Sequence, residues 1–187
     1  YGENVTVDCD GKPHTLTEFT VDEETPLVEG HKFQCEEDQA RTEAGTYKLS
    51  PKNTRILDSN GDPVTSNYSI TEAEGTLTIN KKAVTVSGIK ADDKTYNGTD
   101  EAQLDLSGVK IIGAADGQKL TLDPSKVHGT FVQSGAGENV QVNITFDKDA
   151  LTGSDGTDVS NYSLDVDHSQ KTAAANINKK VITVKAK

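Results

Sequence analysis

Ile79-Asn80-Lys81-Lys82-Ala83-Val84-Thr85-Val86 is written a second time, almost letter for letter, as Ile177-Asn178-Lys179-Lys180-Val181-Ile182-Thr183-Val184. Ahead of each copy stands a second shared phrase, Val64-Thr65-Ser66-Asn67-Tyr68-Ser69-Ile70 and Val159-Ser160-Asn161-Tyr162-Ser163-Leu164. Asn67 and Asn161 lie 94 positions apart and Ile79 and Ile177 lie 98 apart, so the repeated unit has the length of a domain. Within the quoted stretch β-branched residues alternate with period two, the pattern of a strand with one buried and one wet face. Val5-Thr6-Val7, Thr76-Leu77-Thr78-Ile79, the run from Val140 to Phe146 and Val181-Ile182-Thr183-Val184 share that alternation, and all are expected to be strands.

Turn signals separate these runs: Asp10-Gly11, Asn60-Gly61-Asp62-Pro63, Asn97-Gly98, Asp116-Gly117 and Ser154-Asp155-Gly156. Helical periodicity is weak. Glu36 to Arg41 has helix formers but no apolar stripe, and Asp123-Pro124-Ser125 offers one capped turn. The expected fold is therefore all-β: two tandem small antiparallel β domains, immunoglobulin-like or β-grasp-like, with residues 1–82 forming the first and 83–187 the second. Further pairs extend the repeat, Gly11 with Gly98 at an offset of 87 and Gly45 with Gly137 at 92, the drift marking loop insertions. No Gly/Ser- or Pro-rich linker flanks Lys81-Lys82, so the spacing predicts a directly joined, elongated and semi-rigid pair.

Composition narrows the function. With 33% hydrophobic residues, four Phe, no Trp and no Met, small aliphatics must fill thin cores. Nineteen basic against thirty acidic residues leave a net charge of −11, which repels nucleic-acid phosphates and anionic lipid. Neither partner is expected, and no apolar run reaches the ~18 residues of a membrane helix. Opening on Tyr1 and lacking Met, the chain is expected to be an excised segment.

Candidate chemistry is sparse. His14, His31, His128 and His168 are scattered outside any nucleophile or zinc motif, so no enzyme activity and no cofactor are expected. Asp58-Ser59-Asn60-Gly61-Asp62 and Asp155-Gly156-Thr157-Asp158 place oxygens at alternate positions, as calcium loops do, but neither ends in the required bidentate Glu. We expect no metal there. The Asn-x-Ser/Thr sites at Asn4, Asn67, Asn97, Asn143 and Asn161 are read as turn or strand residues. Tyr68, Tyr96 and Tyr162 are expected to anchor the cores. Cys9 and Cys35 form a candidate disulfide that would close a short loop, worth ~3 kcal/mol; two free thiols are the other reading.

Lys94-Thr95-Tyr96-Asn97-Gly98-Thr99, Leu151-Thr152-Gly153-Ser154-Asp155 leading into Asn161-Tyr162-Ser163-Leu164, and Thr172 to Ile177 resemble the YDG-type repeat of large bacterial surface, adhesin-like proteins. Tyr-Asp-Gly stands here as Tyr96-Asn97-Gly98. The first unit is similar to the related MBG-type repeats, which end in the strand Gly75-Thr76-Leu77-Thr78-Ile79, though Cys9 replaces the usual Tyr. The resemblance implies an extracellular or cell-surface location in a bacterium. It also implies neighbouring repeat domains as partners and a non-catalytic role as structural stalk, with direct adhesion to a host glycan or protein as the alternative.

Overall fold

The computed structural model describes residues 4–186. The backbone divides into two units, Tyr1–Lys82 and Ala83–Lys187. Described residues form strands and three single-turn 3-10 helices, with no α-helix, so the chain is all-β.

The first unit contains β1 (Asn4–Asp8), β2 (Lys32–Glu36), β3 (Gly45–Leu49), β4 (Lys52–Leu57) and β5 (Gly75–Asn80). Its main sheet has the order β1-β5-β3, and β2 and β4 pair separately. The alternation Gly75-Thr76-Leu77-Thr78-Ile79 sends Leu77 and Ile79 into a cluster with Cys9, Leu16 and Leu49. Each such aliphatic contributes about 1.5–3 kcal/mol when fully buried.

The second unit opens with β6 (Lys82–Ser87), which starts on the boundary residue, followed by β7 (Lys90–Ala91), β8 (Lys94–Thr95), β9 (Glu101–Ala102), β10 (Leu104–Asp105) and β11 (Lys110–Ile112). β12 (Lys119–Leu122), β13 (Val127–Phe131), β14 (Gly137–Phe146), β15 (Leu151–Ser154), β16 (Tyr162–Leu164) and β17 (Thr172–Asn178) complete it. A five-stranded sheet runs β8-β17-β14-β13-β9, and a three-stranded one runs β11-β6-β16. Phe131, Val142 and Ile177 fill one core cluster, Val86, Val127 and Ile144 a second, and Val84, Leu151 and Tyr162 a third.

Two expectations are corrected. The sheets are not purely antiparallel: β1 pairs parallel with β5, and β8 pairs parallel with β17. In both units an early strand lies beside the last one, and the long intervening chain makes the parallel crossover attainable. The run Val181 to Val184 forms no strand, and Val181 and Val184 are 89% and 87% exposed. Alternation specifies which face of a strand is apolar but supplies no neighbour. The equivalent β6 is held between β11 and β16, whereas among the described residues no strand pairs with 181–184.

Candidate functional site

The motif Lys94-Thr95-Tyr96-Asn97-Gly98-Thr99 works through its backbone. Lys94 and Thr95 pair with Ile177 and Asn178, and the Tyr96 amide donates to the Asn178 carbonyl at 2.8 Å. Asn97 Oδ1 then accepts from the Thr99 amide at 3.1 Å and the Thr99 hydroxyl at 3.0 Å, closing an Asx turn. Gly98 has φ +84°, a conformation that side-chain-bearing residues rarely adopt. Lys94 Nζ donates to the carbonyls of Thr99 at 2.7 Å and Glu101 at 2.9 Å, and lies 5.2 Å from the Phe131 ring centroid, a cation–π contact. The motif is a clasp between the start of the unit and its final strand.

Tyr96 is not the core anchor expected of it: the ring is 43% exposed, because its amide rather than its ring makes the attachment. In the first unit the Cys9 amide donates to the Asn80 carbonyl at 2.9 Å, the same bond in the same place, with the Cys9 side chain buried.

A family model for the YDG domain matches residues 80–174, slightly more than half of the chain. The chain belongs to the YDG domain family. The match begins in the seam and takes in Lys94 to Thr99, ending just before the clasp's partners Ile177 and Asn178, so nearly all of it falls in the second unit. A comparison with curated proteins finds no match.

In the YDG domain, Tyr162 follows the 3-10 turn Val159–Asn161, is buried, and accepts the Ala115 amide on its hydroxyl at 3.2 Å. Tyr68 follows the equivalent turn Thr65–Asn67 in the first unit. Its hydroxyl accepts the Val28 amide at 3.3 Å and hydrogen-bonds His31 Nδ1 at 2.7 Å, while the ring is half-buried. Both tyrosines therefore tether a distant loop by its main chain.

Aspartate, histidine and serine meet at Asp165, His168 and Ser169 of the YDG domain. His168 Nδ1 is 2.7 Å from Asp165 Oδ2, and the bond to His168 holds the Asp165 carboxyl below the usual range. The serine is engaged elsewhere: its hydroxyl donates to the Asp165 carbonyl at 2.6 Å and accepts the Val86 amide at 3.0 Å. Gln170 repeats the device, donating to the Ile89 carbonyl at 2.7 Å and accepting the Ile89 amide at 3.0 Å. Both side chains supply ladder bonds that a neighbouring strand would otherwise make. Sequence reading missed them, since a lone Ser-Gln pair carries no periodic signal. The other histidines stand apart, His14 beside Asp10 at 2.8 Å and His128 beside Asp147 at 3.4 Å.

The acidic turns are explained by their backbone. Asp58 Oδ1 accepts the amides of Asn60 and Asp62, each at 2.9 Å, and the Asp62 bond leads in keeping that carboxyl's pKa low. Asp155 Oδ2 pairs with Lys119 Nζ at 2.6 Å, and Asp158 caps the Ser160 amide. No group of three metal-ligating side chains occurs among the described residues. Nor is any described helix long and apolar enough to cross a membrane.

The candidate Cys9–Cys35 bridge is not formed; both thiols are free. Cys9 is packed under the β1-β5-β3 sheet and its thiol is 3.5 Å from the Thr42 carbonyl, whereas Cys35 belongs to β2 in the separate β2–β4 pair. Burial, helped by the nearby Glu72 charge, pushes the Cys35 thiol up.

Proposed function

We propose that this chain is a non-catalytic repeat segment of a bacterial cell-surface protein, acting as a structural spacer that holds other parts of the protein away from the wall. The observation that carries this reading is the repeated register. Ile79 faces Val7 and Gly45 in one unit, Ile177 faces Lys94 and Gly137 in the other, and β5 passes into β6 through Lys81 alone. Repetition of one core with minimal joints is how length is set in an array. The polar groups with chemical potential are also engaged in architecture, as at Asp58 and Ser169. Under this reading the units are small immunoglobulin-like or β-grasp-like domains, the first akin to MBG-type repeats, and their partners are neighbouring repeat domains outside the cell.

Direct adhesion to a host glycan or protein is the second reading, favoured by sheet edges such as β2, which is paired along one side only. One experiment separates the two. The chain, checked for folding, is applied to arrayed mucins, glycans and matrix proteins, with an unrelated acidic protein of similar charge as control. A spacer gives no saturable binding; saturable, competable binding to one class makes these units adhesive.

A further inference from the structure

The first unit carries a solvent-open cavity of about 520 Å3 between residues 18–27, one face of β2 and β4, and residues 68–73. That volume falls within the ~300–1,000 Å3 typical of ligand pockets. Its apolar wall is built on the cross-strand pair Phe33 and Ile56, and Phe19 also lines it. Thr54, two residues before Ile56 on β4, also lines it, and the Thr54 hydroxyl is shut off from solvent without a hydrogen-bond partner. Three carboxylates, Glu18, Asp22 and Glu72, stand around the same cavity. Asp22 accepts the Glu24 amide at 2.8 Å, but among the described residues none of the three forms an ion pair. The charge of Glu72 reaches Cys35 on the neighbouring strand, so the field on that side is negative.

An apolar wall with two phenylalanine rings and carboxylates free of ion pairs are together complementary to one kind of guest. We propose that this cavity binds an organic cation, an ammonium on an aromatic or aliphatic body, presented either as a free amine or as a lysine side chain flanked by apolar residues in a peptide. The body packs against Phe19 and Phe33, whose ring faces attract positive charge. The ammonium lies toward Glu18 and Glu72. This goes beyond the spacer role, which makes no demand on the interior of the first unit.

The chain contains no Trp, so the emission of an indole probe reports binding directly. The full chain is titrated at low salt with tryptamine, with the neutral tryptophol and with the anionic indole-3-propionate. The expected result is saturable binding of tryptamine, at least tenfold tighter than tryptophol, with no binding of the anion. The double variant Glu18→Gln, Glu72→Gln should bring tryptamine down to the level of tryptophol while its thermal midpoint does not fall. Competition by the acetylated, amidated peptide Phe-Lys-Val assigns the guest to a peptide lysine; failure to compete, with tryptamine bound, assigns it to a free amine. Equal binding of the three indoles, binding of none by the folded chain, or a charge preference that survives the double substitution overturns the proposal.

Discussion

Ile79 and Ile177 occupy one position in two different sheets. Each is buried on the unit's last strand, with an early strand parallel on one side and a glycine, Gly45 or Gly137, opposite it on an antiparallel strand. Ile177→Ala removes three buried carbons from the Phe131–Val142 cluster. It should cost about 2–5 kcal/mol in the YDG unit by chemical denaturation. Val181→Ala, on an exposed side chain four residues later, should stay within about 0.5 kcal/mol of the parent.

Tyr162→Phe should cost about 1–3 kcal/mol, since it strands the buried Ala115 amide without an acceptor. Hydrogen exchange at Ala115 should quicken in the variant. Tyr68→Phe should cost less, because the Val28 amide that it releases lies in an exposed residue that water reaches.

Asp93 accepts the Asn176 amide at 2.6 Å and the Asn176 side-chain Nδ2 at 2.9 Å, and these bonds, the amide first, hold its carboxyl below the usual range. A carboxyl depressed in the folded state contributes stability that is whole above its unfolded pKa, ~3.9. That contribution is lost as pH falls through the lower folded value. Asp93→Asn should therefore lower the denaturation midpoint at pH 7. The gap to the parent should close as the pH falls below the usual carboxylate range and through the depressed folded value, where the Asp93 carboxyl is neutralised too.

Thr54→Val replaces a buried hydroxyl that has no partner by a methyl of similar size. The usual penalty for losing a hydrogen bond is absent, and the desolvation cost of the hydroxyl is relieved, so stability should rise by about 1 kcal/mol. A fall in the urea midpoint would show that Thr54 is already paired in solution.

The strands of the seam were legible because Leu77, Ile79, Val84 and Val86 alternate, and in both β5 and β6 those side chains are buried. The same logic overreached at Val181 to Val184, where the alternation is present but flanking strands are not. Pairing direction was illegible throughout: nothing local in Val5-Thr6-Val7 says that Leu77 and Ile79 will lie beside it in parallel. The signature turn at Asn97-Gly98 was visible in its residue types, yet the exposure of Tyr96 depends on which atom of that residue makes the attachment. The cavity left no sequence trace, because Phe19, Phe33, Thr54 and Glu72 come from four separate segments that only tertiary packing brings together.

The parallel β1–β5 ladder has a mechanical consequence. Five consecutive residues, Asn4 to Asp8, run alongside Thr76 to Asn80 in the same direction, joining the beginning of the first unit to its end. A pull on the two ends of that unit drives β1 and β5 past each other along their length. Every bond of the ladder then carries load at once in shear, whereas a hairpin pulled open at its mouth gives way one bond at a time. The first unit is fastened like a lap joint, strongest when its two ends are drawn apart along the strands.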